Sequence, residues 1–365
     1  MMEKIILVLT NNIGGLHSFR KEVIKAIVEA GYNVYISEPD NDERVNYFKE
    51  IGCNIIKTSF NRRGINPFAD LNLLRRYYKY IKKLKPIAVL TYTIKPNIYG
   101  GVASRLCKVP QLANITGLGD SIENGGLLSK IAVALYRIGL SKTKLVFFQN
   151  SNDLERCIHY GIANKNSILL PGSGVNLSHH IFQPYPPKEE PITFLFIGRL
   201  LKDKGTEEFF STAQIIKKKY PNTIFQILGK CESSYQHQLD HLIKDGIIEY
   251  LGTTTDVRPY IGNAHCTIMP SYHEGMSNVN LESAANGRPV ITTNVPGCRE
   301  TVDNGITGYL VNPRSAKSLI EKVEQFILLP YEKKYEMGHA ARQKVESEFD
   351  RNIVVNAYME QINKL

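Results

Sequence analysis

The sequence predicts an α/β protein made of two Rossmann-like, doubly wound domains that face each other across a cleft. Three observations support this prediction: a length of 365 residues, apolar runs alternating with helical patterns in both halves, and a proline-rich break between the halves. The length suits two domains at ~150 residues per domain. Apolar residues at 43% and charged residues at 22% are ordinary proportions for domains that bury a core.

In the first half, short apolar runs separated by helical patterns predict strands joined by helices, and therefore a mainly parallel sheet. The predicted strands are residues 5–9, 33–36, 54–57, 88–91, 111–115, 145–148 and 167–170. The predicted helices are residues 18–29, 68–83, 97–106, 127–139 and 152–160.

Prolines and charged residues cluster at 184–191, which reads PYPPKEEP, and this composition predicts an interdomain linker. The alternation then restarts, with strands at 193–197, 224–228, 247–251, 266–269, 290–293 and 308–311 and helices at 206–219, 235–244, 279–285 and 316–327. The predicted domains are therefore 1–187 and 188–345, followed by a C-terminal helix at 346–365. Two doubly wound domains place a ligand at the carboxyl ends of their strands.

Six cysteines lie far apart and form no CxxC pair, which argues against a zinc knuckle and indicates a reducing compartment. The apolar run at 5–9 is too short for a signal peptide. No run of ~18 apolar residues predicts a membrane-spanning helix. We therefore expect a cytoplasmic protein, with peripheral attachment to a membrane surface left open.

The net charge of +10 is unevenly distributed along the chain. Residues 1–187 contain 24 Lys/Arg and 13 Asp/Glu, a net of +11, whereas residues 188–365 contain 21 and 22, a net of −1. This asymmetry indicates an anionic partner for the first half, either nucleic acid or an anionic membrane surface. The alternative is a set of solvated lysines without a partner.

The segment 271–282, SYHEGMSNVNLE, is the strongest local motif. It follows a predicted strand, passes through a polar loop and opens a helix, and the N–H groups at a helix start bind anions. Glu274 in the loop and Glu282 in the helix are carboxylates suited to sugar hydroxyls. Taken alone, the pair favours the alternative of one solvated loop glutamate and one solvated helix glutamate.

The segment 198–205, GRLLKDKG, follows the first predicted strand of the second domain. Gly198 permits a tight turn, and Arg199 and Lys204 present two cations at the predicted cleft, where a diphosphate would suit them. A turn with exposed basic residues is the alternative.

Together these two segments, with PGCRETVDNGITGYL at 296–310, resemble the family 4 retaining glycosyltransferases of the GT-B fold. The resemblance covers essentially all of residues 190–330. It implies that Arg199 and Lys204 contact the donor diphosphate, that Glu282 binds the ribose and that Glu274 lies at the transferred sugar. It also implies a phosphate cradle from the loop at Gly275, Met276, Ser277, Asn278 and Val279.

The first half resembles a subgroup that builds capsule, O-antigen or N-glycan precursors on undecaprenyl diphosphate, through TYTIKPNIYG at 91–100 and NITGLG at 114–119. Gly14 and Gly15 occupy the place of that family's glycine-rich loop facing the donor phosphate and acceptor. Lys95 is expected to meet the acceptor's diphosphate. The family's cleft histidine has no counterpart at 116–119. His17 is an acceptor-binding candidate, with packing of the helix start as its alternative.

Other motifs are weaker. Asp40 and Asp42 have the DxD form of metal-dependent transferases but follow Pro39 in a predicted turn. His237 and His241 lack the HExxH context of a zinc site, and Gly14–Gly15 is not the GxGxxG of a nicotinamide site. No metal is expected, because Arg199, Lys204 and helix-start amides can stabilise a leaving diphosphate.

The sequence therefore predicts a metal-independent transferase. The resemblance implies that it moves a hexose or N-acetylhexosamine from a UDP-sugar to a lipid-linked glycan acceptor, with retention, and with the basic first half it indicates the inner face of the cytoplasmic membrane. The resemblance also implies that the C-terminal helix crosses back to the first domain. The alternatives are an enzyme like the UDP-N-acetylglucosamine 2-epimerases and a two-lobed ligand-binding protein. No recognised nucleic-acid motif accompanies the basic charge, so no nucleic-acid partner is expected.

Overall fold

The computed structural model describes residues 4–39, 41–61, 66–117, 126–163 and 166–365. The chain divides into two compact units: the first runs to Ser173 and includes Asn352–Leu365, and the second is Gly174–Arg351. Each unit contains one parallel sheet with helices between its strands. The prediction of two Rossmann-like, doubly wound domains is confirmed.

The first unit has a seven-stranded sheet in the order β3-β2-β1-β4-β5-β6-β7. Its strands are β1 (Ile5–Leu9), β2 (Asn33–Glu38), β3 (Asn54–Lys57), β4 (Ala88–Tyr92), β5 (Gln111–Ile115), β6 (Leu145–Phe148) and β7 (Ser167–Leu169). Its helices are α1 (Ile13–Glu29), α2 (Val45–Glu50), α3 (Pro67–Leu84), α4 (Gly101–Cys107, after a π-turn at Pro96–Gly100), α5 (Gly126–Leu140) and α6 (Ser151–His159). The strand order reverses between β1 and β4, which is where ligands bind in such sheets.

The second unit has a six-stranded sheet in the order β10-β9-β8-β11-β12-β13. Its strands are β8 (Ile192–Ile197), β9 (Thr223–Leu228), β10 (Glu249–Tyr250), β11 (Cys266–Met269), β12 (Val290–Thr293) and β13 (Gly308–Val311). Its helices are α7 (Thr206–Lys219), α8 (Ser233–Lys244), α9 (Arg258–Asn263), α10 (Asn278–Ala285), α11 (Ala316–Leu328) and α12 (Tyr331–Glu348). The strand order reverses between β8 and β11.

The last helix, α13 (Arg351–Asn363), packs into the core of the first unit. Val354, Tyr358 and Ile362 are buried there at helical spacing. The ring of Tyr358 stacks on that of Phe147, with centroids 4.2 Å apart. These contacts explain why the C-terminal residues cluster with a part of the chain remote in sequence.

The proline-rich segment predicted as a linker is held within the second unit. Arg288 is fully buried, and its guanidinium donates hydrogen bonds to the carbonyl oxygens of Gln183 and Pro184 and stacks over the ring of Tyr185. The Tyr185 hydroxyl donates to the carbonyl oxygen of His265 at 2.9 Å. The second unit therefore begins at Gly174, ahead of the boundary at 187/188 that composition predicted.

Among the residues that the structure describes, we find no helix with the length and apolarity needed to cross a bilayer.

Candidate active site

The loop after β11 leads into α10 and forms the centre of the candidate site in the second unit. Ser277 is the N-cap of α10, and its hydroxyl accepts a hydrogen bond from the Asn280 N–H at 3.4 Å. The first two N–H groups of the helix, at Asn278 and Val279, have no partner within the helix because no turn precedes them. They carry the partial positive charge that attracts an anion to a helix start.

Two glycines let neighbouring backbone segments approach this loop. A Cβ on Gly297 would lie 2.3 Å from the Glu274 carbonyl oxygen, and one on Gly205 would lie 2.2 Å from that of Pro270. Both glycines also have positive φ, at 81° and 73°, which side chains rarely adopt. The carbonyl oxygen of Gly297 accepts from the Ser277 N–H at 2.7 Å. These contacts fix the loop and bring the start of α7 against the end of β11.

Lys204 and Glu274, predicted from separate motifs, are paired. The Lys204 Nζ lies 2.5 Å from Glu274 Oε1, and the Ser271 hydroxyl donates to the same oxygen at 2.9 Å. Both charged side chains are mostly buried, with 21% and 17% exposed. Ser271 is the third residue of this cluster, and the 271–282 motif alone does not predict a role for it.

Arg199 follows Gly198 directly after β8. Its side chain is exposed and makes no hydrogen bond or ion pair with the part of the chain that the structure describes. Gly198 donates its N–H to the Leu228 carbonyl oxygen at 3.0 Å. A Cβ on Gly229 would lie 1.9 Å from the Gly198 carbonyl oxygen, so the end of β8 packs closely on the end of β9. Arg199 is therefore a free cation on a firmly held backbone.

Glu282 lies in the second turn of α10 and is half-buried. Its carboxylate makes no hydrogen bond or ion pair among the described residues. Burial raises its pKa to about 7, and the nearby Arg351 opposes this only in part. A carboxylate that is desolvated without a partner is costly unless a ligand supplies donors, so this arrangement suits hydroxyl groups.

The loop residues between Glu274 and Glu282 differ in how much of each residue is exposed to solvent. The Met276 side chain is 6% exposed and packs in a core cluster with Leu281 and Val345. Its predicted part in the cradle can therefore involve only its backbone. Gly275, Asn278 and Val279 are half-buried.

In the first unit, Gly14 and Gly15 lie in the first turn of α1 rather than in a loop. A Cβ on Gly14 would lie 2.0 Å from a guanidinium nitrogen of Arg44, the far end of a side chain that is 51% exposed. His17 lies one turn further along, with its ring edge-on to that of Tyr47 at 5.1 Å. Burial and the nearby Lys21 and Arg44 charges lower the His17 pKa. The His17 ring therefore packs against α2.

Lys95, expected to meet the acceptor's diphosphate, is paired within its own unit. Its Nζ lies 2.7 Å from Asp70 Oδ1, with 14% of each side chain exposed. The Tyr99 hydroxyl donates to the other oxygen of Asp70 at 2.9 Å. Sequence reasoning missed Asp70, which lies 25 residues earlier and meets Lys95 only because α3 packs against the π-turn. The charge of Lys95 is thus already neutralised.

The motifs set aside in the sequence have ordinary surroundings where they are described. Asp40 lies outside the described residues, and Asp42 forms a bidentate ion pair with Arg44. His241 contacts Asp245 on an exposed helix face. Within the described ranges, no group of three His, Cys, Asp or Glu side chains could hold a metal ion.

Comparison with family models divides the chain in the same way as its fold. Residues 4–150 match the model described as glycosyl transferase 4-like, and residues 178–344 match that of glycosyl transferases group 1.

Three curated relatives are similar over most of the chain. An N,N'-diacetylbacillosaminyl-diphospho-undecaprenol alpha-1,3-N-acetylgalactosaminyltransferase of Campylobacter jejuni is 25% identical over 362 residues, 94% of each protein. A capsular polysaccharide biosynthesis glycosyltransferase of Staphylococcus aureus is 27% identical over 91% of this chain and 90% of its own. A UDP-Gal:alpha-D-GlcNAc-diphosphoundecaprenol alpha-1,3-galactosyltransferase of Escherichia coli is 28% identical over 71% of this chain and 70% of its own.

Solved structures share the fold over the whole chain. A glycosyltransferase of Rickettsia africae has a TM-score of 0.80 at 20% identity, covering 100% of this chain and 99% of its own. Anabaena HepE, solved in complex with UDP, has a TM-score of 0.81 at 15% identity, covering 99% and 100%.

Proposed function

Because the chain is a glycosyltransferase of the GT-B fold, consistent with family 4, we propose that it uses a UDP-sugar donor and a glycan acceptor linked to undecaprenyl diphosphate. The transferred group is a hexose or N-acetylhexosamine, and its anomeric configuration is retained. Two relatives act on diphosphoundecaprenol-linked acceptors by their names, and one structural neighbour binds UDP. These likenesses support the choice of donor and acceptor class.

The observation that best supports a nucleotide-sugar donor is the unpartnered carboxylate of Glu282 close to the start of α10. We assign to Glu282 the two vicinal hydroxyls of the ribose, which would donate the hydrogen bonds that it lacks. We assign the donor diphosphate to the N–H groups of Asn278 and Val279 at the helix start. One carboxylate and one anion site on the same short helix suit a nucleoside diphosphate.

Arg199 and Lys204 stabilise the leaving group in this proposal. As the bond from the anomeric carbon to the diphosphate oxygen breaks, negative charge grows on the diphosphate. The acceptor oxygen bonds to the anomeric carbon on the same face, and its proton passes to the leaving diphosphate. Fixed cations lower the energy of that charge without reorganisation, which is why no metal is required. Glu274 holds Lys204 in place and lies at the transferred sugar.

The anionic partner of the basic first half is proposed to be the inner face of the cytoplasmic membrane. Large apolar side chains are exposed along α5, at Leu127, Leu128, Ile131 and Ile138. Lys130 and Arg137 are exposed on the same helix. Apolar side chains with flanking cations are typical of helices that lie in a membrane interface. In α3, by contrast, Tyr77 and Ile81 are buried in the core, so these two side chains are not available for the membrane.

A panel of UDP-sugars, incubated with and without a short-chain prenyl-diphosphate-linked sugar, tests this proposal. We expect UDP release and a lengthened glycan only when a matching donor and the acceptor are both present. An isomerised donor without acceptor would instead identify an epimerase. Binding without turnover across the panel would favour a ligand-binding protein.

A further inference from the structure

Arg20 is a buried cation whose hydrogen bonds are incomplete. It lies in the second turn of α1 and is 2% exposed. Its Nη1 donates to the Phe19 carbonyl oxygen at 2.7 Å. Its Nε and Nη2 have no hydrogen-bond partner, and no carboxylate lies within ion-pair distance among the described residues. The two unpaired nitrogens lie on one edge of the guanidinium.

The groups around Arg20 gather at the carboxyl ends of β4 and β5. Tyr92 is the last residue of β4, and its ring centroid and that of Tyr358 each lie 6.0 Å from Arg20 Cζ. The Tyr92 hydroxyl is buried and has no hydrogen-bond partner among the described residues. Asn114 on β5 donates to the Tyr358 hydroxyl at 2.9 Å, while its own Oδ1 has no partner. The cluster adjoins the reversal of strand order between β1 and β4.

Packing alone does not account for this arrangement. A buried charge without a counter-charge is strongly unfavourable, and a cation–π contact at the distance limit offsets only a small part of that cost. The Nε and Nη2 groups form the planar fork that matches two oxygens of a phosphate. Ligands of doubly wound sheets bind outside the carboxyl ends of the strands at this reversal.

We propose that the Nε–Nη2 edge of Arg20 binds a phosphate group, with the Tyr92 hydroxyl donating a further hydrogen bond to it. Lys95 is less suited to bind this phosphate, because Asp70 already neutralises its charge. The assignment of this phosphate to the lipid diphosphate of the acceptor rests on the proposed function. Both nitrogens are shielded from solvent, so phosphate entry requires a local movement at this edge of the sheet.

Calorimetry on the full chain with three probes tests the proposal: inorganic diphosphate, a prenyl-diphosphate-linked N-acetylglucosamine, and UDP. Arg20→Met should weaken binding of the prenyl diphosphate about tenfold or more, the scale of a charged hydrogen bond, with UDP affinity unchanged. The affinity of Arg20→Lys for the prenyl diphosphate should lie between those of wild type and Arg20→Met, because an ammonium keeps the charge but lacks the planar fork. Arg75→Met, which removes an exposed cation of the same unit, is the matched control and should change neither affinity.

Unchanged affinity for all three probes in an Arg20→Met variant with wild-type thermal unfolding would overturn the phosphate site and make Arg20 a packing residue. Loss of UDP affinity alone would keep the phosphate site and overturn its assignment to the acceptor. If Arg20→Met does not fold, the same binding measurements on Tyr92→Phe test the phosphate site, because this variant keeps the ring and removes only the hydroxyl proposed to donate to the phosphate. Diphosphate binding that depends on Arg20, without any sugar transfer, would contradict the proposed function alone.

Discussion

The ammonium of Lys204 lies 2.5 Å from a carboxylate oxygen of Glu274, 70 residues further along the chain. The pair joins the segment after β8 to the segment after β11, and these two strands are neighbours in the sheet. Lys204 is thereby held on one side, while Arg199 has no partner among the described residues. Among the described residues, Lys204 is therefore a cation fixed by a carboxylate, and Arg199 is a cation without a protein partner at the same sheet edge.

Removing either cation should slow catalysis more than it weakens nucleotide binding. Lys204→Ala and Arg199→Ala remove the charges that we assign to the leaving diphosphate, so turnover should fall about 10²-fold or more, as when one transition-state donor is lost. Affinity for uridine should barely change, because we assign the nucleoside to Glu282 and not to these cations. Steady-state kinetics at saturating donor measure this. Wild-type turnover in either variant would remove that residue from the diphosphate.

Replacing Glu282 should weaken the nucleotide itself. If its carboxylate accepts both ribose hydroxyls, Glu282→Ala should cost roughly 1.5–3 kcal/mol of UDP affinity, the range of hydrogen bonds to a charged group. Titration calorimetry of UDP gives the value. Glu321→Ala, which truncates an exposed glutamate of the same unit, is the control. Equal UDP affinity in wild type and a folded Glu282→Ala would contradict the ribose assignment.

The pKa of Glu282 also predicts a pH dependence of stability. Burial raises this pKa from 4.5 to about 7, so the folded protein favours the protonated carboxyl. The stability that the protonated Glu282 carboxyl contributes is fully present below pH 4.5 and is lost as the pH rises through 7. Glu282→Gln should therefore match wild type in acid and be more stable at pH 8, by about 1–3 kcal/mol for a half-buried group.

Urea unfolding of the ligand-free proteins at both pH values measures this difference. If the difference in unfolding free energy between wild type and Glu282→Gln stays constant across the pH range, burial does not raise the pKa of Glu282 as stated.

Chelation tests the expectation that no metal is needed. Since Arg199, Lys204 and the α10 amides are proposed to stabilise the diphosphate, transfer should continue at an undiminished rate in EDTA. The measurement is the initial rate before and after chelation. Loss of activity with rescue by Mg²⁺ or Mn²⁺ would count against this cation site and return attention to Asp40 and Asp42.

Membrane binding should depend on both the charges and the apolar face of α5. Wild type should co-sediment with anionic liposomes at low salt and less at high salt, because each near-surface cation contributes about 1 kcal/mol. Leu127→Ser combined with Ile131→Ser should weaken binding, whereas Ile243→Ser, an exposed apolar residue of the second unit, should not. Negligible binding to anionic and neutral liposomes alike would remove the membrane proposal and leave the transferase assignment standing.

The local sequence pattern was sufficient to predict the bounds of an element where residues within that element determine its structure. The apolar runs at β1, β6 and β11 gave the strand bounds that the structure has, because a strand buried on both faces of a parallel sheet reads as continuously apolar. The motif at 271–282 gave the loop and α10 because capping and a polar turn are encoded within a few residues.

Features that depend on distant packing were not predictable in this way. Glycines disfavour helices by propensity, yet Gly14 and Gly15 both lie in the first turn of α1. Prolines at 184–187 suggested a linker, but Arg288, a hundred residues later, holds that segment in the second unit. The same holds for Lys95, whose partner Asp70 is brought to it by a separate helix.

The most direct test of the central claim is the product of a single transfer reaction, isolated with a matching UDP-sugar and a prenyl-diphosphate-linked acceptor, and examined by NMR. The account predicts one equivalent of UDP per glycan extended, and a new glycosidic bond with the anomeric configuration of the donor. A bond of inverted configuration, or donor consumption without an extended glycan, would contradict it.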